Sequence, residues 1–279
     1  MGIDILEDFM SDVIFDFLLY FLKMLGLTLG ILFFCGFAVR FFSRAFARVS
    51  GTGSGDIFDI TAIIGTPIHE LGHAVMCLLF GHKITRMKLW SPSHESGVYG
   101  FVEHTYSRKN LWAKLGCLFI GVGPIFSGLA VIILMLWICF PVQWDAYLTA
   151  SREMLAGNPT FGQFLRCILS LLGSMFTGFG SNWVRSIIGV LVILPVSLHI
   201  TLSWQDVKSA AGAMPLYLLL LTVFTAITMA IGASGAITEW FRLLNLRAMS
   251  LFCIVIAFSA VWVVFALVLR GLRIVAGWF

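Results

Sequence analysis

Residues 57–80 read IFDITAIIGTPIHELGHAVMCLLF. The stretch is long enough to cross a bilayer as one helix, which takes about 20 apolar residues. Asp59, His69, Glu70 and His73 are its only acidic or histidine residues, and it holds no Lys or Arg. On a helix His69 and His73 stand four residues apart, so both imidazoles project from one face. That spacing suits a single zinc ion, with Glu70 beside it as a base for water. Placing three such groups in lipid or in a protein core is costly unless they act together.

The rest of the chain fits a membrane setting. Of its 279 residues 59% are hydrophobic and 11% charged, at a mean hydropathy of +0.98. Ordinary soluble domains are about 25% charged. The fold expected is an all-α polytopic membrane protein of about six transmembrane helices with a small membrane-adjacent β-hairpin. The net charge of +4 is spread thinly, with no basic block, so nothing points to nucleic acid. An acidic N-terminus (Asp4, Glu7, Asp8, Asp12) argues against a cleaved signal peptide and reads as an amphipathic lead-in to the first span. The six cysteines stand singly in apolar segments and read as small hydrophobes. Cys77 lies on the same helix face as His73, a full turn further along.

Spans are expected at 17–42, 57–80, 111–140, 183–204, 213–238 and 248–270. Three regions follow: an N-terminal region 1–56 ending in a Gly-rich connector at 51–56, a three-helix core at 57–212, and two C-terminal helices at 213–279. Gly26 and Gly30 form a small-xxx-small pair suited to close helix packing. Residues 83–105 alternate and are β-prone at both ends around a polar tip, which reads as a hairpin. The stretch 141–182 is the longest non-spanning segment after the hairpin, and its apolar part Phe161–Phe176 reads as an interfacial or partly inserted helix. Lys and Arg divide almost evenly between the two sides, so the positive-inside rule gives no orientation.

A catalytic zinc usually has three protein ligands and one open position. After Glu153 the chain offers only Asp206, Glu239 and His199. Asp206, expected at the end of the fourth span, has the chemistry of a hard oxygen ligand. His199, seven residues earlier and expected on the same helix face, is an alternative ligand or an orienting partner. Pro67, Pro124 and Pro195, one in each core span, free backbone carbonyls that can line a hydrated cavity or simply set packing geometry.

These residues resemble the site-2 protease family of intramembrane zinc metalloproteases, and in particular its less-studied bacterial members. The likeness covers roughly 57–212. It rests on His69-Glu70-Leu71-Gly72-His73, on Gly121-Val122-Gly123-Pro124, on the 97–104 stretch before and including His104, and on the late Asp206. Ser127 and Gly128 stand where many members carry an Asn, and Val207 follows Asp206 where many carry Gly. The resemblance implies one Zn2+ per chain held by His69, His73 and Asp206, with Glu70 as catalytic base. It implies a membrane-protein substrate, bound near Gly123, Pro124, Tyr99, Phe101 and Val102, and a multi-pass location in a bacterial cell membrane. Two other readings stand beside it. One is a prenyl-protein-processing type of membrane zinc protease, with Glu239 as third ligand. The other is a metal-free scaffold or regulator. A transporter would show paired broken spans, which the sequence lacks.

Overall fold

The computed structural model describes residues 2–50, 55–91, 99–157, 160–177 and 182–275. It is a polytopic helical protein, with one small two-stranded sheet among the described residues. Among the described residues five helical stretches are long and apolar enough to cross a membrane, and two shorter apolar helices accompany them. The first stretch joins α1 (Gly2–Leu25) to α2 (Ile31–Ser50) through a π-helical turn at Gly26–Gly30. Next come α3 (Gly55–Leu79), strands β1 (Lys83–Lys88) and β2 (Phe101–Thr105), and α4 (Leu111–Cys139). Helices α5 (Pro141–Leu155), α6 (Phe161–Thr177), α7 (Trp183–His199), α8 (Trp204–Ala230) and α9 (Ser234–Val275) complete the chain.

Helix α4 is the centre of the molecule, packing on α3, α7 and α8. Its Ile125, Ile132 and Leu136 meet Ile193 and Val196 of α7 and Phe252 and Val255 of α9 in the main buried cluster. Large apolar side chains such as Phe34, Ile60, Leu78 and Trp137 point outward, as they do where lipid is the solvent. In lipid the packing of such helices rests on close contact and interhelical hydrogen bonds. Gly72 and Gly123 supply the first. A methyl group on either would stand 2.6 Å from the other's carbonyl oxygen, so α3 and α4 touch backbone to backbone there. Ser259 and Trp262 of α9 supply the second, donating to the Ser197 and Leu194 carbonyls on either side of Pro195.

Gly26 and Gly30 do not form the close-packed pair their spacing suggests. Neither has a neighbour within 4 Å of where a side chain would begin. They bound the π turn instead, where the widened backbone ladder leaves carbonyls for other donors. Thr28 Oγ1 donates to the Met24 carbonyl, and Asn245 of α9 donates to that of Leu27.

The expected hairpin is present. β1 and β2 pair antiparallel, from Lys83 opposite Thr105 to Lys88 opposite Phe101, with an irregularity between Ile84 and Arg86. Of its polar tip only Ser91 lies among the described residues, as do only 55–56 of the Gly-rich connector. Residues 141–182 hold two helices, α5 and α6, packed on each other and on α9.

The fourth and fifth spans divide elsewhere than expected. α7 stops at His199, four residues link it to α8, and α8 runs unbroken from Trp204 through the expected boundary at 212. A capping box starts α8. Ser203 Oγ accepts from the Asp206 N–H at 3.0 Å, and the Asp206 carboxylate accepts from the Ser203 N–H at 2.7 Å. Two orphan amides of the helix end are thereby satisfied, which fixes the start of the helix. His199 and Asp206 therefore do not share a helix face. Asp206 lies in the first turn of the next helix.

Candidate metal centre

The break between α7 and α8 brings Asp206 to the histidines. His69 and His73 lie one turn apart on α3, with their Nε2 atoms 3.3 Å apart. Asp206 Oδ1 lies 3.2 Å from His73 Nε2, and Oδ2 lies 4.0 Å from His69 Nε2. Around a tetrahedral zinc with bonds of about 2.0–2.2 Å, ligand atoms stand roughly 3.3–3.5 Å apart. The three side chains therefore already outline one face of such a site.

The far side of each ring is committed. His69 Nδ1 donates to the His199 carbonyl at 2.8 Å, and His73 Nδ1 donates to the Ile120 carbonyl at 2.7 Å. A carbonyl can only accept, so each Nδ1 carries the proton. In the neutral rings both Nε2 atoms then carry lone pairs, 3.3 Å apart and beside a carboxylate oxygen. Lone pairs that converge out of contact with bulk water repel one another unless a cation lies between them. The donor set, two imidazoles and one carboxylate, fits zinc.

Each of these side chains is held by the packing of the fold. α3 and α4 touch at Gly72 and Gly123, one turn from the Ile120 carbonyl that orients His73. The first turn of α8 rests on Gly121, where a methyl group would meet the Asp206 carbonyl at 2.7 Å. Arg40 of α2 donates to the Leu202 carbonyl and so ties down the link that carries Asp206. Asp206 keeps one oxygen in the capping box and turns the other to His73.

A cavity of about 640 Å³ opens onto these residues. Glu70 is on its wall, buried beside the histidines. Thr66, Thr201, Ser203, Gln205 and Ser209 make much of the remaining wall polar, so the cavity suits water although it lies among apolar helices. The hairpin closes one side through Tyr99, Gly100, Phe101, Val102 and His104. Of these, Phe101, Val102 and His104 belong to β2, with Tyr99 and Gly100 just before the strand. Gly100 lies directly against Glu70, where a methyl group would meet Cγ at 2.8 Å. Tyr99 donates from its hydroxyl to Asp59 on α3, which fastens the hairpin over the cavity. Burial, followed by that bond, pushes the Tyr99 phenol up to about 12, so it remains a donor at neutral pH.

The structure thus brings together His69, Glu70, His73, Asp206, Tyr99, Phe101 and Val102. The His199 side chain also borders the cavity, but its Nδ1 donates to the Pro195 carbonyl at 2.9 Å, and it is the backbone carbonyl of His199 that orients His69. Gly123 and Pro124 are buried at the crossing with α3 and are not on the cavity wall. Gly123 serves the packing there, because only a residue without a side chain lets the two helices meet. Glu239 is exposed and paired to Arg242 through both oxygens, at 2.7 and 2.8 Å. Thr66 and Ser209 are cavity-wall residues that no sequence motif marks; Gly100 lies within the 97–104 stretch and Gln205 beside Asp206, and neither stands out there.

Comparison of the chain with protein-family models, with characterised proteins and with solved structures returned no match.

Proposed function

We propose that this protein is an intramembrane zinc metalloprotease that hydrolyses peptide bonds in or beside transmembrane segments of other membrane proteins. The observation that carries the reading is the convergence of His69 Nε2, His73 Nε2 and Asp206 Oδ1 within a polar cavity that Glu70 borders. Bound there, zinc would acidify water to a pKa of about 7 and polarise a carbonyl. Glu70 is placed to take the proton of the attacking water and to pass it to the leaving amine. His199 and Ile120 hold the two imidazoles through their carbonyls, and Ser203 holds Asp206. The proposed setting, as in the bacterial proteins this sequence resembles, is a bacterial cell membrane.

A helical substrate hides its carbonyls in its own hydrogen bonds and must unwind before attack. Among the described residues β2 lines the cavity and pairs with β1 alone, so its other edge would offer main-chain partners for the unwound segment. Val102→Pro removes one main-chain N–H from that strand and distorts it. Cleavage of a folded transmembrane substrate should fall roughly tenfold, about the worth of one such hydrogen bond, with zinc content unchanged. Val102→Ile should cleave as wild type. Proline variants that fold, keep zinc and cleave normally would make the hairpin a bystander.

Metal removal tests the function itself. With purified protein and a transmembrane substrate in detergent, a strong zinc chelator should abolish cleavage, and added Zn2+ should restore it. Cleavage at the untreated rate in metal-free protein would overturn the reading. A protein that never takes up metal at these residues would instead fit the scaffold reading.

A further inference from the structure

A second cluster of ligand-type side chains lies at the root of the hairpin. Cys77 is in the last turn of α3, His82 follows the reversal at Gly81 (φ 70°), and His104 is near the end of β2. Cys77 and His82 are buried. His82 Nε2 donates to the Ala113 carbonyl of α4 at 2.7 Å, which leaves Nδ1 as an unprotonated acceptor in the neutral ring. That Nδ1 accepts from His104 Nδ1 at 2.9 Å. The Cys77 sulfur completes a group whose three ligand atoms all lie within 4.8 Å of one another. Tyr106 stacks on the His82 ring at 4.6 Å between centroids, fixing its plane.

We propose that Cys77, His82 and His104 hold a second metal ion of the zinc class, which clasps the root of the hairpin to the ends of α3 and α4. One thiolate and two imidazoles are the ligands a borderline-soft divalent ion selects. The two Nδ1 atoms stand 2.9 Å apart and would spread slightly to the ~3.3 Å of two zinc-bound imidazoles. The Cys77 sulfur lies within 4.8 Å of both and would close in to a bond of ~2.3 Å. The carbonyl behind His82 is the usual outer partner that orients a ligating imidazole. On binding, the Cys77 thiol releases its proton to solvent and the sulfur bonds the ion, while the His104 ring proton moves from Nδ1 to Nε2 and both imidazoles stay neutral. His104 also borders the cavity, so the clasp would set the strand edge relative to Glu70. Cys77 then acts as a ligand for this centre and not as the small hydrophobe its sequence setting suggests.

The test uses full-length protein in detergent, loaded with zinc or with cobalt(II) and freed of excess metal. Two zincs per chain are expected by mass spectrometry, falling to one in Cys77→Ser and in His82→Ala. Cobalt bound to a thiolate absorbs in the near ultraviolet by sulfur-to-metal charge transfer. The His69, His73, Asp206 centre has no sulfur and gives no such band. The band should appear in wild type, persist in the His69→Ala, Asp206→Ala double variant and vanish in Cys77→Ser. Loss of the peptidase reading alone would leave one zinc per chain with the band intact. Wild-type cobalt protein without the band, or with a band that survives Cys77→Ser, overturns the second site. The wild-type spectrum serves even if a variant fails to fold.

Discussion

Glu70→Gln should retain zinc and lose cleavage by about 10²–10⁴-fold, the range that a positioned general base contributes. Glutamine keeps the shape of the side chain on the wall beside Gly100, so the contact between hairpin and helix survives. It cannot take a proton from water or return one to the amine. His69, His73 and Asp206 are untouched, so the ligand set stays intact. The change replaces a buried carboxylate with a neutral amide, which in an apolar span does not penalise folding. Peptide release from a transmembrane substrate and zinc by mass spectrometry are measured on the same preparation. Cleavage within about tenfold of wild type, with zinc present, would show that another group does the proton transfer.

What could be read from the sequence was what periodicity and lipid enforce. A helix places residues i and i+4 on one face, and an apolar span tolerates charge only for a reason, so His69, Glu70 and His73 stood out. The hairpin was legible because a β-prone alternation flanked a polar turn. The link at 200–203 was not, because Ile200 and Leu202 continue the apolar pattern and no Gly or Pro marks the stop. A signal was present all the same. Ser203 precedes Asp206 by three residues, the spacing of a capping box, and such a pair announces a helix start. Cys77, His82 and His104 show no ligand spacing in the chain. They meet only because the hairpin brings the chain back to the end of α3. The crossing of Gly123 with Gly72 was not legible either, because the need for its missing side chain appears only when the two helices meet.

Asp206→Ala should weaken zinc binding by more than about 100-fold, beyond the 10–100-fold typical of removing an orienting partner. The residue has two tasks on two oxygens. One accepts from the Ser203 N–H at 2.7 Å and closes the cap of α8, and the other lies 3.2 Å from His73 Nε2. Losing the cap costs about 1 kcal/mol of helix stability. Ser203→Ala bears the same cost, since it removes the hydroxyl that accepts from the Asp206 N–H. If Asp206 were only a cap, the two variants would lose zinc alike. If it is the third ligand, Ser203→Ala keeps most of the zinc and Asp206→Ala does not. Glu239→Ala should bind as wild type, because that carboxylate is exposed and engaged by Arg242. Equal zinc occupancy in Asp206→Ala and Glu239→Ala would remove Asp206 from the ligand set. Asp206→Asn sharpens the contrast. Its amide oxygen can still accept from the Ser203 N–H, but the side chain has lost the charge that offsets the cation. Zinc lost from this variant while α8 keeps its capped start assigns the loss to ligation and not to the helix end.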